Sequence, residues 1–322
     1  MIRSKLSCAL FSVLFAFLAT AADAKTLRYA SQDDPQTLDP HSANLLPTNR
    51  VLSQVYEGLV MRDKNFRIVP GLAVSWSQPD AKTWRFKLRP NVKFHEGQIL
   101  SADDVVFSVG RALHPLSQLK SSLQGVQSAK KIDNLTVDLI MKEPNPVLLN
   151  HLFQFRIASK EWAVKNKSEV PQNYKDREDT YSSRNTNGTG PFKVTIRQAD
   201  VKTVLVANPD WWNKNSPEKG NLTQIDLLPV KSNATRAAAL LSGEVDFVLD
   251  PPPQDIARLK GNPNIKIVEG VEARFQYLAF DSNRSELLYS DVKGKNPLKD
   301  VRVRQAIAHA IDVEAIKEKV MR

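Results

Sequence analysis

Cysteine is almost absent from this sequence: Cys8 is the only one among 322 residues. Cys8 lies in an N-terminal segment that we expect to be removed during export, which leaves a mature chain with no thiol. Thiol catalysis, disulfide bonds and zinc sites built from cysteine are therefore excluded. An exported protein without disulfides depends on a large hydrophobic core, and a hydrophobic content of 42% can supply one. A chain of this length predicts two domains.

Long apolar runs are missing except at residues 6–19. That run follows two basic residues and precedes Ala22-Asp23-Ala24, which is the order of a secretory signal peptide with its cleavage site. The alternative is a membrane anchor, but the run is too short to cross roughly 30 Å of hydrocarbon. We therefore expect cleavage after Ala24, a mature chain beginning at Lys25, and a periplasmic location.

The excess of positive charge, +10 overall, is spread along the chain and forms no basic block. In "TWRFKLRPNVKF", Arg85, Lys87 and Arg89 alternate with aromatic and aliphatic residues. This alternation predicts a half-buried strand with one solvated cationic face. A nucleic-acid surface requires basic residues clustered on one face, so we expect no nucleic-acid partner.

Strand and helix patterns alternate along the chain. Strands are predicted within 25–31, 66–95, 191–198, 203–209 and 224–230, and two more within 264–282. Helices are predicted at 48–61, 101–113 and 301–311, the last capped by Asp300, and residues 232–249 read as a helix followed by a strand. A hairpin is predicted to turn at Asp133-Asn134, and residues 165–190 to form a long loop or a crossing between domains.

The polar residues that are candidates for catalysis fit structural roles better. Asp103 and Asp104 follow Ser101 in a capping-box pattern at the start of a predicted helix, and Asp33-Asp34 is expected to be solvated. The five histidines show no ligand spacing such as H-x-x-x-H. Neither a phosphate-binding loop nor a G-x-S-x-G nucleophile motif is present. The sequence therefore indicates a protein that binds a ligand without reacting with it.

Five segments together resemble a known family. They are "TLDPHSANLLPTNRVLSQVYEGLV", "PGLAVSWSQPDAKTWRFKLRPNVKFHEGQILSADDVVFSV", "NGTGPFKV", "NPDWWNK" and "PLKDVRVRQAIAHAIDVEAI". Their residues and order resemble the family 5 solute-binding proteins, the large periplasmic receptors of peptide, nickel and related ABC importers. The resemblance runs from about residue 26 to the last residue.

The resemblance implies an α/β bilobal periplasmic-binding-protein fold, type II-like, with an extra inserted subdomain. Residues 25–60 and 185–265 would form lobe I, residues 61–184 the inserted subdomain, and residues 270–322 the start of lobe II. Hinge strands would pass near residues 265–277. Family members are typically far longer, and the apolar stripe of 301–311 has little after it that is large enough to cover it. We therefore expect an N-terminal fragment whose second lobe is truncated and poorly covered.

The resemblance also suggests ligand-binding residues. The loop after "TLDPH" faces the cleft in the family, which points to Asn44, Leu45 and Leu46; an ordinary surface loop is the alternative. Arg274 would pair with a ligand carboxylate, and solvation on an alternating strand is the alternative. Trp211-Trp212 is compatible with an aromatic platform for a sugar or peptide, but we interpret at least one ring as packing.

By the same resemblance, the protein would be the monomeric, periplasmic substrate-binding component of an ABC importer. It would capture peptides and deliver them to the membrane permease subunits, with no cofactor, no metal and no catalysis. Nickel complexes, haem or oligosaccharides remain open as ligands. A secreted hydrolase or a non-functional remnant on the same scaffold is the alternative from another class.

Overall fold

Two larger β-sheets organise the described part of the chain. The computed structural model describes residues 25–216, 220–270 and 277–321. The strands are β1 (Lys25–Ser31), β2 (Val60–Arg62), β3 (Ile68–Pro70), β4 (Ala73–Asp80), β5 (Thr83–Leu88), β6 (Val126–Asp133), β7 (Thr136–Met141), β8 (Phe192–Gln198), β9 (Lys202–Ala207), β10 (Leu222–Pro229) and β11 (Phe247–Val248). The helices are α1 (Leu46–Val55), α2 (Ala102–Leu113), α3 (Leu148–Leu152), α4 (Lys160–Lys165), α5 (Tyr181–Arg184), α6 (Asn233–Ser242), α7 (Ile256–Lys260), α8 (Val301–Ala310) and α9 (Val313–Ile316).

The first sheet has five strands in the order β11-β1-β10-β9-β8. Strand β1 runs parallel to both of its neighbours, while β9 is antiparallel to β10 and to β8. Leu205 and Leu227 of this sheet belong to one buried cluster with Val51, Leu52 and Val55 of α1. The apolar stripe of α1 thus fixes this helix against the sheet.

The second sheet is antiparallel throughout, with the order β4-β5-β7-β6. The alternation predicted for β5 is confirmed, since Trp84, Phe86 and Leu88 are buried and Lys87 is exposed. These inward residues share a core cluster with the apolar face of α2. The hairpin predicted at Asp133-Asn134 is also confirmed, as β6 and β7 pair through Asp133 and Thr136.

The first helix is shorter than the sequence predicted. Residues 48–61 were expected to be helical, but α1 ends at Val55 and Tyr56 is already extended. The chain that follows packs closely against the segment around Phe155: a Cβ on Gly58 would lie 2.6 Å from the Phe155 carbonyl oxygen. The chain then enters β2 at Val60.

The capping box predicted for α2 is confirmed. The Ser101 backbone N–H donates to Asp104 Oδ2 at 2.9 Å, and the cap is complete in both directions. Asp104 Oδ1 also accepts from the Lys160 N–H at 2.8 Å. Burial raises the pKa of Asp104, and these hydrogen bonds oppose that shift. The carboxylate therefore joins the start of α2 to the start of α4.

A buried ion pair holds the loop that precedes α1. Asp39 is fully buried and Arg111 of α2 approaches it with two guanidinium nitrogens, each 2.7 Å from a carboxylate oxygen. The His41 N–H donates to Asp39 Oδ1 at 2.9 Å, and the Gln172 N–H donates to Oδ2 at 3.0 Å. Ser182 Oγ completes the set at 3.0 Å. One carboxylate thus joins three segments of the chain.

The imidazole of His41 extends this network. Its Nδ1 lies 3.2 Å from Arg111 Nη1, which can only donate, so Nδ1 accepts and Nε2 carries the proton. Nε2 then donates to the Arg156 carbonyl oxygen at 2.8 Å. Burial, reinforced by the charge of Arg111, lowers the pKa of His41 to about 3. The ring is therefore neutral and positions the residues around Arg156.

The expectation that Asp33-Asp34 is solvated holds only for Asp33. Asp33 is exposed, but Asp34 is buried and accepts from Arg197 Nη1 at 2.9 Å and from Nη2 at 2.6 Å. No local pattern marks this pair, because the two residues stand 163 positions apart along the chain.

The strands predicted within 264–282 are absent from the described part of that range, 264–270 and 277–282. Val268 is 81% exposed and Tyr277 is 75% exposed. Apolar alternation alone does not make a strand, because a strand also needs a neighbour to accept its backbone hydrogen bonds.

The chain divides into two compact units. One ends at Ser232 and also includes Gly243–Leu249; the other contains Asn233–Ser242 and the residues from Asp250 onward. In the second unit the predicted helix is confirmed as α8, and its cap Asp300 accepts from the Arg302 N–H at 2.9 Å. No residue of α8 is buried. The lobe boundaries given above stay a prediction.

We expect the buried network to make the protein acid-sensitive. Burial opposes ionisation of Asp39, but the charge and hydrogen bonds of Arg111 outweigh it and lower the pKa of Asp39 to about 2. The pKa values of Asp39 and His41 are both lower in the folded protein than in the unfolded chain, so the unfolded chain binds protons more readily. The contribution of His41 to the free energy of unfolding is fully present above pH 6.5 and is lost as the pH falls toward 3. The loss is at most about 1.4 kcal/mol per pH unit for each group.

Urea unfolding at pH 7, 6 and 5 measures the slope of the free energy of unfolding against pH. His41→Gln should flatten it, although not fully, because burial also lowers the pKa of His95 to about 4. His309→Gln, at an exposed position of α8, serves as the control and should leave the slope unchanged. Equal slopes in the parent chain and His41→Gln would contradict the assignment.

Hydrogen exchange should differ sharply between α2 and α8. Seven side chains of α2 are buried, from Ala102 to Ala112, whereas α8 buries none. A ten-residue helix without tertiary packing is marginal in water. The amides of α8 should therefore exchange much faster than those of α2 in the same sample. Equal protection of the two helices would show that α8 is covered in solution.

Candidate functional site

The predicted residues Asn44, Leu45 and Leu46 lie together at the start of α1. Asn44 is exposed, Leu45 is half-buried and Leu46 is 55% exposed. They directly follow the loop that the buried Asp39 fixes. The structure thus brings the three residues together as one surface, which we call the α1 entry surface. Their contact with a ligand stays a prediction.

The α1 entry surface offers backbone donors. Leu45 stands at the N-cap position without a side-chain cap, and the first turn contains no acidic residue. Pro47 removes one donor, because proline has no N–H. The N-terminus of a helix carries partial positive charge. This end of α1 is therefore suited to acceptor groups.

Asn44 is held by two further contacts. Its backbone N–H donates to Gln118 Oε1 at 3.3 Å, and its Oδ1 accepts from Asn49 Nδ2 at 2.8 Å. Gln118 lines a polar cavity of about 720 Å³ together with Gln36, Gln172 and Arg177. The α1 entry surface thus adjoins a residue that lines open polar space.

The other predicted ligand residue, Arg274, lies outside the described residues. Its proposed pairing with a carboxylate stays a prediction.

The structure adds a residue that the sequence analysis missed, Arg156. It is only 7% exposed, yet its guanidinium makes one long contact, 3.5 Å from Nη2 to the Asn49 carbonyl oxygen. Its Nη1 is buried without a hydrogen-bond partner among the described residues. Burial lowers the pKa of Arg156 to about 10. The sequence signal was a lone arginine among apolar residues in "LFQFRIA".

Trp211 and Trp212 are anchored by one buried carboxylate. Trp211 Nε1 donates to Glu57 Oε1 at 3.0 Å, and Trp212 Nε1 donates to Oε2 at 2.8 Å. Thr189 Oγ1 also donates to Oε2, at 2.8 Å. Burial raises the pKa of Glu57, against the effect of these three bonds. Trp211 is only 7% exposed, so the interpretation of at least one ring as packing is confirmed.

The glycines of "NGTGP" serve a close approach to the end of α1. A Cβ on Gly188 would lie 1.9 Å from the Val55 carbonyl oxygen, and one on Gly190 would lie 2.6 Å from that of Gln54. The Gly190 N–H donates to the Val55 carbonyl oxygen at 2.9 Å. This segment therefore fastens the C-terminus of α1.

The described residues contain no cluster of three or more histidine, cysteine, aspartate or glutamate side chains that could hold a metal ion. Within the same ranges, no helix is both long and apolar enough to cross a membrane.

Two curated relatives show where the chain belongs. It is 30% identical over 327 residues to the dipeptide-binding protein of Escherichia coli (strain K12), a match that covers 93% of this chain and 56% of that protein. It is 29% identical over 296 residues to heme-binding protein A of Haemophilus influenzae (strain ATCC 51907 / DSM 11121 / KW20 / Rd), covering 84% of this chain and 50% of that protein. The chain thus spans about half the length of these relatives.

The fold also has close counterparts among solved structures. The dipeptide-binding protein from Pseudoalteromonas sp. SM9913, solved in complex with Met-Leu, matches with a TM-score of 0.76 over 92% of this chain and 59% of that chain. At 23% identity this likeness concerns the fold alone. The predicted α/β periplasmic-binding-protein fold is confirmed.

Residues 67–322, well over half of the chain, match the family described as bacterial extracellular solute-binding proteins, family 5 Middle. The chain therefore belongs to this family, as its five sequence segments predicted.

Proposed function

We propose that this chain is part of the substrate-binding component of an ABC importer and that its ligands are peptides. The observation that carries the proposal is membership of the family 5 solute-binding proteins. The 30% identical relative is named for dipeptide binding, which favours peptide as the ligand class. Haem, for which another relative is named, is the alternative ligand.

The α1 entry surface supports peptide capture. The uncapped start of α1 presents backbone donors to peptide carbonyl groups, and the side chain of Asn44 supplies a further donor and acceptor. Leu46, with 55% of its surface exposed, gives an apolar contact for a peptide side chain. A surface of this kind recognises the backbone that all peptides share and places few demands on their sequence.

Capture in such a receptor is a population shift. A ligand that contacts both lobes stabilises the closed arrangement, because only that arrangement offers both sets of contacts. Permease subunits at the inner membrane would then bind the closed form. Arg274, near the start of the second lobe, would contribute to ligand binding by pairing with a carboxylate. The protein would act as a monomer and catalyse no reaction. The secreted hydrolase considered above gains no support, because Asp104 and Glu57 are both engaged in structural hydrogen bonds.

Peptide binding is testable by NMR on the isotope-labelled chain. Titration with Met-Leu should shift the backbone amides of Asn44, Leu45 and Leu46, because these lie at the proposed contact. Leu46→Ser should weaken binding about fivefold, since a partly exposed leucine loses roughly 1 kcal/mol of apolar contact. Recovered peptide should be intact by mass spectrometry.

The matched control is Leu288→Ser, which changes a leucine that is 62% exposed in the other unit. It should leave the Met-Leu titration unchanged. Failure of Met-Leu and of a tripeptide set to shift any amide would contradict the proposed ligand class. Cleaved peptide would contradict the assignment as a binding protein.

Export should produce a mature protein that begins at Lys25. The run 6–19 followed by Ala22-Asp23-Ala24 has the order of a secretory signal with its cleavage site. N-terminal sequencing of the periplasmic fraction gives the new terminus directly. Replacing Ala24 with Asp should block processing, whereas Thr26→Ser should not. Recovery of intact Met1 from the membrane fraction of the parent chain would refute the cleavage.

A further inference from the structure

We propose that Arg156 binds an anionic group of the ligand, a carboxylate, beside the start of α1. This inference rests on the proposed function and makes it more specific: the ligand presents a carboxylate to the first unit of the protein. The argument depends on how this arginine is buried, what surrounds it and what it lacks.

Two other arginines, one buried and one partly buried, show what burial of a guanidinium ordinarily requires. Arg111 forms two bonds of 2.7 Å to Asp39, and Arg197 binds Asp34 at 2.9 and 2.6 Å. Arg156 is 7% exposed and makes only its 3.5 Å contact to Asn49. An unpaired buried charge is strongly unfavourable. We infer that the partner of the Arg156 charge is a bound ligand.

The surroundings favour an anion as that partner. The first turn of α1 contains no acidic side chain and no side-chain cap, so its partial positive charge adds to that of Arg156. The nearby carboxylate of Asp39 is already bound by Arg111. Two independent features, the uncapped start of α1 and the unpartnered guanidinium that contacts Asn49 of the same helix, thus each favour negative charge.

Asn49 provides the link to the α1 entry surface. Its carbonyl oxygen contacts Arg156, while its side chain donates to Asn44 at 2.8 Å. Its Oδ1 is buried without a hydrogen-bond partner among the described residues. Asn49 Nδ2, which donates to Asn44 Oδ1 in this structure, would be a second donor to a ligand carboxylate bound by Arg156. The planar guanidinium favours a two-oxygen group, which fits a carboxylate.

The proposal separates Arg156 from an arginine that merely stabilises the fold. Replacing an arginine that stabilises the fold makes the protein less stable, whereas removing an unpaired buried charge leaves its stability unchanged or raises it. We expect Arg156→Met to melt at the same temperature as the parent chain or higher in the absence of ligand. Arg111→Met, which leaves Asp39 unpaired, should melt at a much lower temperature.

Binding is read on the arginine side-chain Nε–Hε signals by NMR, with three probes: Met-Leu, its C-terminal amide and acetate. Met-Leu and acetate should shift the Arg156 signal, and the amide should not. Met-Leu should bind Arg156→Met about tenfold more weakly or worse, because a hydrogen bond to a charged group is lost. Arg156→Lys should recover part of that loss.

The outcomes separate this inference from the proposed function. Equal Met-Leu affinity in the parent chain and Arg156→Met would overturn the role of Arg156 and leave peptide capture standing. A shift with acetate but not with Met-Leu would support the carboxylate site and count against peptides. No shift with any probe, together with a lower melting temperature for Arg156→Met, would make Arg156 structural and overturn the inference.

Discussion

The buried carboxylate of Asp39 is the interaction on which the candidate site depends. It accepts from the guanidinium of Arg111, from two backbone N–H groups and from the hydroxyl of Ser182. Its partners come from the loop before α1, from α2, and from α5 and the long segment that precedes it. A buried pair of this kind adds little net stability compared with apolar packing, but losing one partner costs about 3–5 kcal/mol. Its value lies in fixing the path of the loop that delivers Asn44–Leu46.

The two arginines near this loop have opposite environments. Arg111 also donates to the carbonyl oxygens of Ser168 and Val170, so its charge is compensated by acceptors as well as by Asp39. Arg156 lies in the same region, tied by its carbonyl oxygen to His41, but its guanidinium lacks this compensation. Proteins accept local instability of this kind where binding requires it. This contrast is the basis for the proposal that Arg156 binds a ligand carboxylate.

Local patterns were predictable from the sequence, and distant pairings were not. The alternation in β5, the capping box at Asp104 and the cap at Asp300 each involve residues within a few positions of one another. The pairs of Asp34 with Arg197 and of Asp39 with Arg111 join residues 163 and 72 positions apart. No periodicity marks such partners. The absence of strands from 264–270 and 277–282, the described parts of that predicted range, has a related cause, since pairing needs a neighbouring strand that the pattern itself cannot supply.

The candidate ligand residues came from the family resemblance, because no local pattern distinguishes Asn44–Leu46 from an ordinary loop. What the structure adds is that α1 is fastened at both ends. Its start follows the loop fixed by Asp39, and its end is fastened by Gly188 and Gly190, which lie against the carbonyl groups of Val55 and Gln54. Between these ends, Val51, Leu52 and Val55 pack within the cluster of the first sheet. A helix held in this way cannot adjust to a ligand by moving as a whole, so adaptation falls to side chains such as Asn49. We therefore propose that selectivity on this unit depends in part on the guanidinium of Arg156, whose Nη1 is buried without a hydrogen-bond partner among the described residues.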